Sequence, residues 1–523
     1  MAYGKLLHRH ERVVPNNVTI PRQPIFVALA TAAVAGALFF GLAELDAQIR
    51  IAFITFAVAI IGWVFTRIED SYVALAAAMI FVLAGIEAPD EFFEALGDNL
   101  VWLLVSSFII AAAVKASGLS NRLAMVVAAR ARSVGHIFYA LTAVVVVTAF
   151  LIPATTGRAA LMVPVFLALS NVICNPRIIR ALALLFPTVI LLSAFASLIG
   201  AGAHLLAADI IWRMTGERID FLRWMMLGLP FALISSFLST WVILRLFLTA
   251  DERRQPLALD ATTLAKRQDN PRTEKLSGRE YYVMAVAFVV VLLWCTEPLH
   301  GLNNTVVAIF GALAVTLHHV GPISLKQGIN NVEWNLIVFM VATLELSEGL
   351  VDSGAAKWLV DGLFSSIQGV ADSAWLVFGS VMLIALLSHL VIASRSARVA
   401  ILVPMVILLA LALGYNAVAL SFVAVAATGF CVTLAVSAKP VAMFSQLPVP
   451  TYAPRDLLRL SGVLLPLHLV LIVVFTVAVW PHMGLSIMHE TPAAPPAPHW
   501  QQPWEHEQAN PTPTIKNGYL LDS

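Results

Sequence analysis

Charge is scarce in this sequence. Asp, Glu, Lys and Arg together make up 12% of its 523 residues, where a soluble globular domain carries about 25%. That shortage excludes a molecule wrapped in a solvated surface. The net charge of +1 implies no nucleic-acid partner. Cysteine is scarcer still. Cys174, Cys295 and Cys431 each lie in or beside an apolar segment without metal-type spacing, which excludes a disulfide framework and a metal centre built on cysteine. Catalytic signatures are missing as well. There is no His-Glu-x-x-His and no Gly-x-Ser-x-Gly, and the adjacent pair His318-His319 falls at the edge of an apolar run. An intramembrane enzyme would need a clustered nucleophile and base, or paired metal ligands. No clear cleavage site follows the first apolar run, and the basic region before it is long, so residues 25–44 are read as an uncleaved span rather than a signal peptide.

Apolar residues, by contrast, make up 60% of the chain, and the mean hydropathy is +0.86. Runs of about 20 such residues, enough to cross ~30 Å of hydrocarbon, recur throughout. Spans are expected at 25–44, 49–66, 71–88 and 99–117, then a basic amphipathic surface helix, "LSNRLAMVVAARARSVG". A region at 137–172 is too long for one helix and is broken at "IPATTGR"; a second interrupted span covers 178–213, and 222–248 follows. Beyond a polar stretch the pattern recurs. Spans lie at 281–297, 303–319 and 333–351, a less apolar stretch at 352–373, an overlong broken region at 375–413, an interrupted span at 418–445 and a last span at 457–480.

Lys and Arg in short loops place the N-terminus in the cytoplasm and the C-terminus outside, with 11 spans. The expected fold is an all-α polytopic membrane protein made of two inverted repeats, each with a re-entrant helical hairpin. A cytoplasmic segment, 1–24, precedes the first repeat, 25–248, with its hairpin at 137–172. A cytoplasmic linker, 249–279, leads to the second repeat, 280–482, with its hairpin at 375–413, and a proline-rich tail, 483–523, is expected to be disordered. Weak internal matches support the repeat: Asn99 to Gly118 has the spacing of Asn335 to Gly354, and Arg158 stands six residues before Pro164 as Arg398 does before Pro404. Inverted repeats with broken helices near the midplane are a signature of secondary transporters.

The segments "LVWLLVSSFIIAAAVKASGLSNRLA", "VEWNLIVFMVATLELSEGLVDSGAAKWL", "IDFLRWMMLGLP" and "RDLLRLSGVLLPL" carry a family likeness from about residue 30 to 485. In them the chain resembles the divalent anion:sodium symporter family, the sodium-coupled dicarboxylate, citrate and sulfate carriers. The resemblance implies a homodimer in the inner membrane. It also implies a scaffold domain (spans 1–4 and 7–9) along which a transport domain slides as an elevator. The family carries a Ser-Asn-Thr triplet at each hairpin tip, ten residues before a proline, which binds substrate carboxylate and sodium. Here that count lands on Ala154-Thr155-Thr156 and Ser394-Arg395-Ser396, so both asparagines are absent. The family's second element is altered too: "LIGAGAHLL" brings His204 after Gly200, and "VSAKPVAMF" keeps Ser437 but adds Lys439.

A cation at membrane depth is costly and is by default functional or paired. Thr155, Thr156, Arg158, Ser394, Arg395, Ser396, Arg398, Ser437 and Lys439 are therefore the candidate substrate residues. Ala154, Gly200, His204 and His389 are candidates for ion or proton coupling, with sodium or a proton as the coupling ion and no cofactor or bound metal. Arginine's planar fork suits carboxylate, sulfonate or sulfate, and fixed cations can take over the role of sodium as counter-charge. Alternatively, Arg158 and Arg398 pair with Glu345, Glu348 or Asp209; Lys439 snorkels or caps a helix; His389 bonds within its own hairpin; and Glu345 and Glu348 are arginine partners rather than proton relays. The runner-up function is a cation/proton antiporter or arsenite-type efflux carrier.

Overall fold

The computed structural model describes residues 22–66, 68–119, 122, 131–173, 175–256, 277–359 and 373–488. Most of the expected cytoplasmic N-terminal segment, most of the surface helix, the middle of the linker, residues 360–372 and nearly all of the tail lie outside the described residues. Among the described residues all regular structure is helical, and nine helices are long and apolar enough to cross a bilayer. This is a multi-pass membrane protein, and helices are the form that satisfies backbone groups inside each spanning segment.

The first half contains α1 (Arg22–Gly41), α2 (Ala47–Phe65), α3 (Asp70–Leu83), the short α4 (Pro89–Ala95) and α5 (Asn99–Ser117). Next come α6 (Val134–Thr148), α7 (Thr155–Ile173), α8 (Pro176–Ser193), α9 (Gly202–Thr215), α10 (Phe221–Phe247) and the short α11 (Ala250–Arg254). The second half begins with α12 (Gly278–Cys295), then α13 (Glu297–His300), α14 (Asn304–Val315), α15 (Leu325–Asn330) and α16 (Trp334–Asp352). It continues with α17 (Ala374–Leu387), α18 (Arg395–Leu413), α19 (Ala417–Thr428), α20 (Lys439–Ser445) and α21 (Pro454–Val474).

Helix starts follow the capping residues. Asp46, Asp98, Ser133, Asn175, Asp220, Ser277, Asn303, Ser394 and Asn416 each accept a backbone N–H of the first turn, and Pro176 stands at the first helical position of α8. Helices α5 and α16, both 19 residues long, are followed by glycines in the left-handed region, Gly118 (φ 78°) and Gly354 (φ 77°). A side chain would be strained at either position.

The series α2 to α10 has the same element order as α12 to α21, leaving the one-turn α13 aside, and the packing is reciprocal. Helix α3 lies on α16 while α14 lies on α5, and α4 touches α16 while α15 touches α5. Deeper in, α9 packs on α18 and α20 packs on α7. Each half thus covers the apolar faces of the other.

The spans are not uniform. Helices α3 and α14 have 14 and 12 residues, about 21 and 18 Å at 1.5 Å per residue, short of the ~30 Å hydrocarbon. Helix α8 and the turn after it lie at the centre, with 94% of the window buried, whereas α2 and α12 bury only 28% and form the apolar exterior. The chain breaks at four places: 149–154 between α6 and α7, 194–201 between α8 and α9, 388–394 between α17 and α18, and 429–438 between α19 and α20. Irregular backbone at such depth is tolerated only inside protein or beside a cavity.

Candidate functional site

The candidate residues fall at or beside these breaks. Thr155 is the first residue of α7 and Arg395 the first of α18, and each helix holds its proline, Pro164 or Pro404, at the tenth position. Ala154 offers no side-chain oxygen, so it caps none of the first N–H groups of α7. Ser394 does cap α18, its hydroxyl accepting the Ala397 N–H at 3.3 Å. Thr155, Thr156 and Ser396 are half-buried at these ends. Both helix starts point positive dipole ends into the interior.

Arg158 and Arg398 occupy the same register, the fourth helical position, and both are fully buried. Their surroundings differ. Arg158 donates from Nε to the Thr148 hydroxyl (3.0 Å) and from one Nη to the Ile190 carbonyl (2.9 Å). Its other Nη donates to the Val145 carbonyl (2.7 Å) and the Ser193 hydroxyl (2.6 Å). Val145 and Ile190 fall in the last turns of α6 and α8, where carbonyls lack helical partners. Arg158 therefore closes two helix ends at once and ties α7 to α6 and α8. Its partners are carbonyls and hydroxyls, not the expected carboxylates.

Arg398 makes one long contact, from Nε to the Ser394 carbonyl at 3.4 Å. Both of its Nη atoms are buried without a partner, and so are all three guanidinium nitrogens of Arg395. Among the described residues no carboxylate lies within ion-pair distance of either arginine. The Arg395 guanidinium rests over Gly429, in the second broken span, where a Cβ would come 3.1 Å from Nη2. Two of the carboxylates weighed as alternative partners for Arg158 and Arg398 serve Arg213 instead, which reaches Asp209 (2.8 Å) and Glu348, and also Asp98 (3.4 Å). Asp209 stands one turn before Arg213 on α9, so nearest-neighbour geometry gives the pair without help from the rest of the fold.

Three imidazoles surround the arginines. His204 is fully buried on α9, its Nδ1 3.1 Å from the Ser197 carbonyl and its ring against Phe195 and Trp224. It feels the charge of both Arg158 and Arg395. His389 places Nδ1 2.6 Å from the Leu386 carbonyl and Nε2 2.7 Å from Thr433, whose hydroxyl meets Ser461 at 2.6 Å. Because a carbonyl only accepts, Nδ1 carries the hydrogen. His389 thus bonds within the 375–413 region, the alternative weighed for it, and also ties that region to the break after α19 and to α21. The third, His468 on α21, was not among the candidates; it lies within reach of the Arg395 charge and its Nε2 is buried without a partner. A lone histidine inside "LLPLHLVL" is the signal that could have found it.

Ser437 is buried in the second break, its hydroxyl accepting the Leu434 N–H at 3.3 Å. Lys439 opens α20, is exposed, and has its charge near Glu333. Gly200 ends the first break where the chain folds back on itself, and a Cβ there would stand 2.1 Å from the Ala194 carbonyl oxygen. Gly200→Ala is expected to cost roughly 1–3 kcal/mol by overpacking, read as a lowered melting temperature of the purified protein.

A family model described as the sodium:sulfate symporter transmembrane region matches residues 26–486. The chain belongs to that family. Its relatives include a membrane protein of Cupriavidus necator, 26% identical over 58% of this chain and 60% of the relative. The citrate/succinate antiporter of Escherichia coli K12 is 22% identical over 68% of this chain and 77% of its own length. The sodium-dependent dicarboxylate transporter SdcS of Staphylococcus saprophyticus is 23% identical over 73% of this chain and 77% of its own. The family, by its description, and the latter two relatives, by their names, are transporters, symporter and antiporter, rather than enzymes.

Proposed function

We propose that this chain is a secondary carrier of a small anion, in which Arg395 and Arg398 supply fixed positive charge at the place where sodium-coupled relatives hold sodium. One observation carries the reading: five guanidinium nitrogens of these two residues are buried without a hydrogen-bond partner or a carboxylate among the described residues. Unpaired buried charge is costly, and a doubly charged anion would satisfy both forks while the free N–H groups at the start of α18 add to the attraction. Dicarboxylates, tricarboxylates, sulfate and sulfonates share that chemistry. The relatives named for citrate, succinate and dicarboxylate support the first two.

In this reading the reciprocal packing reflects two inverted repeats, 25–248 and 280–482, with 11 spans and the two hairpins entering from opposite sides. Spans 1–4 and 7–9 form a scaffold that dimerises. The hairpins and broken spans move across it as an elevator in the inner membrane, with the N-terminus cytoplasmic. Thr155, Thr156, Ser394, Ser396 and Ser437 line the anion's path, and His204 and His389 stand beside it. Arg158 holds the transport domain together.

A guanidinium beside a sodium ion is repulsive at low dielectric, so the carrier is expected to work without sodium. Uptake of labelled succinate, citrate and sulfate into proteoliposomes, in sodium and in choline buffer, checks this. Equal rates in the two buffers are expected for the transported anion. A strict sodium requirement overturns the counter-charge role of the arginines.

A further inference from the structure

A second buried charge cluster lies away from the arginines, where the turn after α3 meets α16. Glu87 is only 4% exposed, and both of its carboxyl oxygens are buried without a hydrogen-bond donor. The space it fills is provided by Gly349 of α16: a Cβ there would lie 2.8 Å from Glu87 Oε1 and within 2.2 Å of the Phe81 ring. One turn earlier on the same face of α16 is Glu345, 1% exposed, with its carboxyl within hydrogen-bonding reach of Glu87.

The surroundings do not neutralise the two carboxyls. From α16, Glu348 and Asp352 face Glu87, and from α4 so does Glu91. Arg213 on α9 is the cation that Glu345 feels, and it is already engaged by Asp98, Asp209 and Glu348. Helix α2 contributes Gln48, held on the Gly85 carbonyl, while its Arg50 is turned onto the Phe39 ring at 4.6 Å. Two carboxylates in contact have no hydrogen between them, and like charges in a shared buried site cannot both ionise. No group of three or more His, Cys, Asp or Glu among the described residues is placed to hold a metal ion. A single proton would supply the missing hydrogen.

We propose that Glu87 and Glu345 form a proton-binding site in which one shared proton bridges the two carboxyls. The proton makes one carboxyl a donor and the other an acceptor, so the pair satisfies itself inside the cradle made by Gly349. Glu348, three residues along α16, holds Arg213, so release of the proton adds negative charge beside that ion-pair group. The proposal does not rest on the anion site, which lies on other helices.

Infrared difference spectroscopy of the purified full-length protein, between pH about 6, above the ordinary carboxyl range, and pH about 10, tests it. Labelling glutamate with carbon-13 identifies the signal. Wild type is expected to show a glutamic-acid carbonyl band at the acid end that is lost at the alkaline end. Glu87→Gln and Glu345→Gln are each expected to remove the band entirely, because either amide donates to the carboxylate left behind. A band that survives either substitution, or no glutamic-acid band in wild type, overturns the proposal. Absence of the band in wild type overturns the proposal even where a variant fails to fold, and either of the two variants that does fold assigns the band.

Discussion

Arg398→Ala is expected to abolish anion transport while leaving the protein folded. Its guanidinium ties little of the protein together: the two Nη atoms have no partner and Nε makes a single long contact to the Ser394 carbonyl. Removing it also relieves the repulsion from the Arg395 charge, which it feels directly. The melting temperature should therefore stay level or rise. Binding should respond in the opposite sense. Truncating one member of a desolvated charge pair costs roughly 2–5 kcal/mol, or about 30-fold to several-thousand-fold in affinity. Arg398→Lys keeps the charge but loses the fork, so it should recover only part of the binding. Proteoliposome uptake beside thermal melting checks both halves. If Arg398→Ala transports normally, the guanidinium does not hold the anion.

Arg158→Met is the second large effect, with the opposite signature. Methionine fills much of the same volume but donates no hydrogen bond. The Val145 and Ile190 carbonyls would lose a guanidinium donor each, and the Ser193 and Thr148 hydroxyls would lose theirs. The Val145 carbonyl keeps the Thr148 hydroxyl as a donor, but leaving other buried acceptors unsatisfied costs about 1–3 kcal/mol each, so a loss of roughly 3 kcal/mol or more is expected. It should appear as poor recovery of folded protein and a depressed melting temperature, with or without an anion present. An added anion should raise the melting temperature of wild type and leave that of Arg398→Ala unmoved.

The contrast between these two arginines marks how far the sequence can be read. The first helical break is legible in it, because Pro153 falls in the run of residues that interrupts the apolar pattern, although Gly157 beside it turns out to lie inside α7. Counting ten residues back from Pro164 and Pro404 lands on Ala154 and Ser394, the residues just before α7 and α18. Roles do not follow from the count. Arg158 and Arg398 share register, burial and residue type, yet one is saturated and the other is bare. The difference is made by backbone carbonyls at 145 and 190, groups that every residue owns and no spacing advertises. Arg213 is another case. Its bond to Asp209 is local, but Asp98 and Glu348 reach it from 115 and 135 positions away. Glu87 sits in a turn, where a carboxylate is ordinarily taken for a solvated residue; only the Gly349 gap on a distant helix shows it to be enclosed.

The exchange of helices between the two halves also governs how the molecule can be made. Helices α3 and α5 leave the ribosome long before α16 and α14, the partners that cover them, have been synthesised. Contacts of such wide sequence separation form late and slowly. During that interval the early helices have only lipid and chaperones against their matching faces. The final docking of α14 and α16 is then the step that commits the nascent chain to its native arrangement, and truncations upstream of α16 leave an orphaned half for membrane quality control to remove.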